Sequence, residues 1–231
     1  MIPGFILLLL VAATNWLAVA KGWKTVEYIA KPATMILLFG WLALVEGFDS
    51  VPLICVGLGI FFSLAGDVFL MISFYRFSNR WFVPGLIAFL LAHVSYIVGL
   101  NTPLPNVSLF WSLGLAILLA LTARRVLGRI VAGVRQKGLK LLVAPVVVYG
   151  TVITLMLLSA LLTFYRADWK TSAAGLVGAG AILFYFSDIV LAWNKFVTPI
   201  KNGRLANMIL YHLGQFMLVS GIMLQFQKVL G

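Results

Sequence analysis

Cysteine and charge are both scarce in this sequence. A single cysteine, Cys55, occurs among the 231 residues, so the chain can form no internal disulfide and contains no cysteine-based metal or redox motif. Charged residues make up 10% of the chain, and only six of them are acidic. The two histidines follow no HExxH pattern, so a zinc or di-metal hydrolase site remains an alternative without any ligand spacing to support it. These absences leave few residues for acid/base chemistry, and we expect no metal.

Apolar residues are abundant, and they occur in long runs. They make up 63% of the chain, and the mean hydropathy is +1.09. Runs of about 20 residues match the roughly 30 Å hydrocarbon core of a bilayer. We therefore predict an all-α membrane protein, a bundle of eight transmembrane helices. The predicted spans are 2–20, 28–46, 51–73, 82–100, 107–123, 140–164, 172–193 and 204–227.

The connections between these spans are too short to form a separate domain, so we expect residues 1–231 to form a single transmembrane domain. A weak internal echo suggests candidate repeats 1–123 and 124–231, because helices 3 and 7 each carry an aspartate and the helix that follows each carries a histidine. These residues are Asp67, His93, Asp188 and His212. Because helices 3 and 7 are four helices apart, they would run in the same direction, as in a pair of parallel four-helix repeats. We expect the first span to be retained and not cleaved as a signal peptide, because no Lys or Arg precedes it.

The basic residues predict the orientation of the chain in the membrane. Net charge is +11, but the 17 basic residues lie in short loops, which argues against nucleic-acid binding. Most follow helices 1, 3, 5 and 7, so these loops should face the cytoplasm and both termini should face away from it. The loop between helices 5 and 6 should be the strongest anchor, with anionic-lipid affinity as the alternative. Its basic residues are Arg124, Arg125, Arg129, Arg135, Lys137 and Lys140. We expect a multi-pass protein of the bacterial inner (cytoplasmic) membrane.

Two acidic residues lie inside predicted spans. Asp67 and Asp188 are each one to two turns from the predicted cytoplasmic end of a helix, where an acid costs several kcal/mol unless it faces a partner or a wet cavity. A catalytic role for both is our prediction, and a structural hydrogen bond between helices is the alternative. The other acids fall at predicted helix ends or loops, where water should solvate them. They are Glu27, Glu46, Asp49 and Asp168.

Polar residues on two other helices are candidates for binding or orienting a substrate. Asn207, Tyr211 and Gln215 recur every four residues on helix 8 and so share one face, with His212 about 100° around the helix. This stripe should point inward. On helix 4, His93 and Tyr96 are one turn apart. The alternative for each residue is a hydrogen bond between helices.

Two lysines are candidate phosphate ligands. Lys31 precedes Pro32 at the start of helix 2, and Lys195 lies two turns beyond Asp188 on the same face. Both fall at the predicted cytoplasmic interface, where an ammonium group could meet a phosphate. The alternative is that both extend to the interface and fix topology.

These motifs together resemble the lysoplasmalogenase, or YhhN-like, family of membrane proteins. The resemblance covers nearly the whole chain. It rests on Lys31-Pro32, Ala65-Gly66-Asp67-Val68-Phe69-Leu70-Met71, Ala92-His93-Val94-Ser95-Tyr96, Phe186-Ser187-Asp188-Ile189-Val190-Leu191-Ala192 with Lys195-Phe196, and Tyr211 followed by Gln215. It implies an eight-helix hydrolase that cleaves the vinyl ether of lysoplasmalogen, a lysophospholipid, to fatty aldehyde and glycerophosphocholine or glycerophosphoethanolamine. The implied partners are membrane lipids and this substrate, and no cofactor is implied.

Acid/base chemistry by a carboxyl pair fits such a reaction. Protonation of the vinyl ether carbon gives an oxocarbenium ion, which water attacks. Asp67 and Asp188 could divide the roles of acid and base, with their assignment open. The rival hypothesis is a proton-coupled transporter or lipid carrier that uses the same aspartates. It is disfavoured because the halves lack matching Gly/Pro interruptions near mid-helix.

Overall fold

The computed structural model describes residues 2–75 and 79–227, and within them all regular secondary structure is helical. Eight long helices follow one another along these residues. They are α1 (Ile2–Lys21), α2 (Lys24–Val45), α3 (Val51–Tyr75), α4 (Phe82–Leu100), α5 (Leu109–Gln136), α6 (Val143–Leu162), α7 (Thr171–Phe196) and α8 (Gly203–Phe226). Single turns of 3-10 helix occupy Asn79–Trp81, Lys140–Leu142 and Thr163–Tyr165.

Seven of these eight helices are long and apolar enough to cross a bilayer, the exception being α5. The chain is thus an all-α, multi-pass integral membrane protein, as predicted. The bounds of the seven differ from the predicted spans by a few residues, because the apolar runs determine both the membrane segment and most of the helix.

The predicted end of the fifth helix at residue 123 is wrong. Helix α5 continues to Gln136, so the arginines assigned to a loop lie on a helix. The apolar run ends where the arginines begin, but an arginine favours helix formation about as well as a leucine does. The helix stops in a Schellman motif: Gly138 has a φ of 74°, and the N–H of Leu139 donates to the carbonyl of Val134 at 3.1 Å.

The chain divides into two compact units. The first unit comprises Met1–Gly99 with Ile222–Gly231, and its described residues hold α1 to α4 and the end of α8. The second unit comprises Leu100–Gly221 and holds α5 to α7 and most of α8. The boundary of the proposed repeats, after residue 123, falls within α5. Duplication of the halves stays a prediction.

Glycines bring α3 and α4 together in the first unit. The ring of Tyr96 lies directly over Gly59, and the ring of Phe89 lies over Gly66, where an added Cβ would sit 2.5 Å from the ring. Small residues let helices approach closely in a membrane, where packing replaces the hydrophobic effect between them. This packing fixes the face of α4 that is turned toward α3.

In the second unit α7 and α8 approach even more closely. A Cβ added at Gly180 would lie 2.5 Å from the backbone nitrogen of Leu218, and one at Gly214 would lie 2.8 Å from that of Phe184. Near the C-terminal end of α8, a Cβ added at Gly221 would lie 2.8 Å from the carbonyl oxygen of Ala173. Here backbone meets backbone, so α7 and α8 hold each other in a fixed register.

Candidate functional site

Asp67 forms a buried ion pair in the first unit. Its Oδ1 lies 3.0 Å from the Nζ of Lys31, and the two side chains are 1% and 7% exposed. Asp67 lies on α3 and Lys31 on α2, so the contact joins neighbouring helices. Lys31 was predicted as an interfacial phosphate ligand, and the structure instead places its ammonium beside the intramembrane acid. Its role toward a phosphate stays a prediction.

A second polar contact joins α2 and α3 beside this ion pair. Tyr75 donates a 2.6 Å hydrogen bond to Glu27, which is only 3% exposed. Glu27 is one turn from Lys31, and Tyr75 is two turns from Asp67, so both contacts join the same pair of helices. The prediction that water solvates Glu27 is therefore wrong. Glu46 is also buried, at 8% exposure.

His93 and Tyr96 are both fully buried in the first unit. They share the face of α4 that packs on α3, because Phe89 and Tyr96 cover Gly66 and Gly59. That register puts His93 at the level of Ser63, about one turn from Asp67. Both predicted orienting residues of α4 are thus on the α3 side of their helix.

Asp188 in the second unit has a different partner. The phenol of Tyr149 on α6 donates a short hydrogen bond to Asp188 Oδ2. Asp188 is half-buried, and the neighbouring hydroxyl of Ser187 donates to the carbonyl of Phe184 at 2.7 Å. Tyr149 was not among the site residues predicted from the sequence. The available signal was that Tyr149 is the one residue of α6 with an aromatic hydroxyl, in a helix that is otherwise apolar apart from small hydroxyl residues.

The polar stripe of α8 faces inward, as its spacing predicts. Its four members are at most 6% exposed, namely Asn207, Tyr211, His212 and Gln215. Asn207 donates a 2.8 Å hydrogen bond to the carbonyl of Ser187, next to Asp188. The ring of Tyr211 packs edge-on against Phe184, with centroids 5.3 Å apart. The stripe therefore contacts α7 within one turn of Asp188.

Lys195 lies in the last turn of α7 and is half-buried. It follows Asp188 by seven residues, or about 10 Å of helix. Its carbonyl accepts a 2.6 Å hydrogen bond from Lys137, and its ammonium lies over the ring of Phe196. Its predicted role as a phosphate ligand is not tested by these contacts.

An ion pair outside the spans ties together the loops of the second unit. The guanidinium of Arg166 bonds both oxygens of Asp168 and the carbonyls of Leu100 and Pro103. Hydrogen bonds from Arg166 lower the pKa of Asp168 below its usual value, against a smaller opposing effect of burial. No cluster of three or more potential metal ligands occurs in residues 2–75 and 79–227.

Comparison with known proteins identifies the family. The YhhN family matches residues 26–222, a stretch that includes both intramembrane aspartates and all the polar residues around them. The chain belongs to the YhhN family. The shared segment begins in α2 and ends near the end of α8.

Curated relatives give this family member a functional context. The lysoplasmalogenase TMEM86B of Homo sapiens is 31% identical over 139 residues, which cover 59% of this chain and 52% of the human protein. Those of Mus musculus and Rattus norvegicus are 37% and 38% identical over 78 and 77 residues, about a third of this chain and 30% and 29% of theirs. The matches thus span about half or less of these relatives. No solved structure matches the chain.

Proposed function

We propose that this protein is a lysoplasmalogenase-type hydrolase of the membrane. The observation that carries the proposal is the family match over residues 26–222, together with curated relatives named lysoplasmalogenase. The substrate would be a lysophospholipid with a vinyl ether chain. The products would be a fatty aldehyde and glycerophosphocholine or glycerophosphoethanolamine.

The proposed reaction needs one proton donor and one carboxylate. The donor protonates the vinyl carbon that is not bonded to oxygen, and the adjacent carbon becomes part of an oxocarbenium ion. Water adds to this carbon and loses a proton to the base, which gives a hemiacetal. The hemiacetal then collapses to aldehyde and glycerol hydroxyl. The sum is one water consumed and one C–O bond broken, with no redox partner.

The two aspartates would divide these roles between them. Lys31 places a positive charge 3.0 Å from Asp67, and the phenol of Tyr149 donates a hydrogen bond to Asp188 Oδ2. In this scheme one aspartate protonates the vinyl carbon, and the other, as a carboxylate, stabilises the cation and accepts the water proton. The assignment of the two roles is open.

The remaining polar residues would bind and orient. In this scheme His93 and Tyr96 in the first unit, and Asn207, Tyr211, His212 and Gln215 in the second, hold water or the glycerol hydroxyl. Lys195 is the better phosphate ligand of the two lysines, because the ammonium of Lys31 is already paired with Asp67.

We further propose that the protein resides in the bacterial inner membrane, with the cytoplasmic leaflet supplying the lysolipid. Eight crossings put both termini on the non-cytoplasmic side, whereas seven crossings, with α5 failing to span, would put them on opposite sides. A reporter fused at each terminus tests this. Activity of both reporters only in the non-cytoplasmic compartment is expected, and a cytoplasmic C-terminus would contradict the orientation.

Turnover in detergent tests the proposed activity. Purified protein is mixed with lysoplasmenylethanolamine, and aldehyde release is followed with no gradient across any membrane. We expect steady release, and none from the matched lysolipid with a saturated ether, which cannot form the cation by protonation at carbon. Absence of aldehyde, combined with lipid or proton movement in proteoliposomes, would favour the transporter instead.

A further inference from the structure

A groove of about 580 Å³ runs between α5 and α6 in the second unit. Its size is within the range of ligand sites. Small residues on both helices create it, because they leave space between the flanking leucines and valines. They are Ala116, Ala120, Ala123, Gly128 and Gly150.

The lining is apolar apart from one cation. Two threonines lie in the groove, but Thr151 donates to the carbonyl of Val147 at 3.0 Å and Thr154 to that of Gly150 at 2.6 Å. Their hydroxyl protons are therefore already used by their own helix. Arg124 is the one charged residue among those that line the groove. It is exposed and makes no hydrogen bond or ion pair with the part of the chain that the structure describes.

Arg124 lies alongside the middle of α6. The side chain of Leu127 is 3.0 Å from the position of a Cβ at Gly150, and the two helices run antiparallel, so Arg124 is at the level of Thr154. Thr154 is eight residues from the end of α6 at Leu162, or about 12 Å of helix. In a membrane, an arginine beside the middle of an apolar helix is costly unless it reaches water or pairs with an anion.

We propose that this groove binds an anionic phospholipid of the bilayer, with an acyl chain along the small residues and the phosphate on Arg124. A guanidinium pairs well with phosphate because it offers parallel N–H donors. Three further arginines on α5 make the surroundings positive, and the helix carries no acid to neutralise them. They are Arg125, Arg129 and Arg135. Charge complementarity therefore selects an anionic headgroup over a zwitterionic one.

The groove is separate from the contact of Asp188. At 100° per residue, Tyr149 lies roughly 140° to 180° around α6 from Thr151, Thr154 and Leu158, which line the groove. The tyrosine that bonds Asp188 thus projects from the opposite face of the helix. A lipid bound here would stabilise the α5–α6 pair and would not be turned over.

Native mass spectrometry of the purified protein with dioleoylphosphatidylglycerol tests the site. Arg124→Gln should weaken binding of one lipid by about tenfold, the effect of losing one charge-assisted hydrogen bond. Arg125→Gln is the matched control, since it removes the same charge from the same turn outside the groove, and it should change affinity less than about twofold. Equal effects of the two variants would overturn the proposal.

Filling the groove gives a second test that leaves every charge in place. Ala120→Trp should also weaken binding about tenfold, and wild-type affinity in this variant would contradict the groove as the chain site. Equal affinity for dioleoylphosphatidylcholine would contradict the anionic headgroup. Stoichiometric displacement by lysoplasmenylethanolamine would show a substrate site and overturn the assignment. Aldehyde release, read separately, should be unchanged in Arg124→Gln.

Discussion

The two units each present an intramembrane aspartate, but they satisfy it differently. Asp67 is almost fully buried and has the positive charge of Lys31 beside it. Asp188 is half-buried and has the neutral hydroxyl of Tyr149. A charge taken out of water needs a compensating charge more as its burial deepens. The same residue type in similar sequence surroundings is therefore suited to different chemistry in each unit.

The largest difference between the units should appear when each partner is removed. Lys31→Met leaves the Asp67 carboxylate buried without the lysine charge, so we expect stability to fall by about 3–5 kcal/mol. Combining it with Asp67→Asn should restore most of the loss, because no buried charge remains. Thermal unfolding in detergent measures both, with exposed Lys21→Met as control. Unchanged melting of Lys31→Met would contradict the ion pair.

The packing of the two helix pairs offers a second contrast. Gly180→Ala drives a Cβ into the backbone of α8, so we expect a loss of about 1–3 kcal/mol. Gly66→Ala in the first unit meets the ring of Phe89, which can shift, and should cost less. Gly175→Ala, on the same helix as Gly180 with nothing within 4 Å, is the control. Equal melting temperatures of all three variants would contradict this difference between the α7–α8 and α3–α4 packing.

Removing the Tyr149 hydroxyl that bonds Asp188 should reduce stability less than removing the Lys31 ammonium that pairs with Asp67. Tyr149→Phe deletes one hydrogen bond and keeps the ring, which predicts a loss of about 1–2 kcal/mol. If Tyr149 supports proton transfer, aldehyde release should also fall while substrate KM changes little. Tyr165→Phe, whose ring stacks on Trp111, is the matched control. A Tyr149→Phe enzyme as stable and as active as wild type would contradict this role.

The smallest effect concerns the ion pair of Asp168. Its pKa is lowered in the folded protein, so it contributes stability above the pKa of the unfolded chain. That contribution is lost as pH falls below about 4 and through the folded pKa. The carboxyl is half exposed, so the effect should stay below about 1 kcal/mol. Between pH 6 and pH 3 the melting temperature should fall more steeply for wild type than for Asp168→Asn. Parallel curves would contradict a pH-dependent contribution of Asp168.

Hydropathy was sufficient to predict all eight helices and to place the bounds of seven within a few residues, because in lipid an apolar run must satisfy its own backbone as a helix. It failed at the end of α5, where Arg124 ended the apolar run but helix formation continued to Gln136. The stop signal was readable in Gly138, which takes the left-handed conformation that ends the helix. The prediction took the first charged residues as the start of a loop, although these residues continue the helix.

The residues of the candidate site could be predicted from the sequence, but the contacts between them could not. An acid inside an apolar span is anomalous in the sequence itself, which is why Asp67 and Asp188 stood out. Their partners Lys31 and Tyr149 lie on other helices, and the pairing depends on helix rotation that sequence spacing leaves open. Glu27 was misplaced for the same reason, since a position near a helix end does not reveal that Tyr75 covers it.

Aldehyde release by Asp67→Asn and Asp188→Asn is the most direct test of the central claim. Each variant should lose at least about 100-fold in rate, as expected for a group that transfers or accepts a proton. Exposed Asp49→Asn should retain wild-type activity, and the Lys31→Met, Asp67→Asn pair should fold yet stay inactive. Rates within tenfold of wild type in both single variants would contradict catalysis by these aspartates.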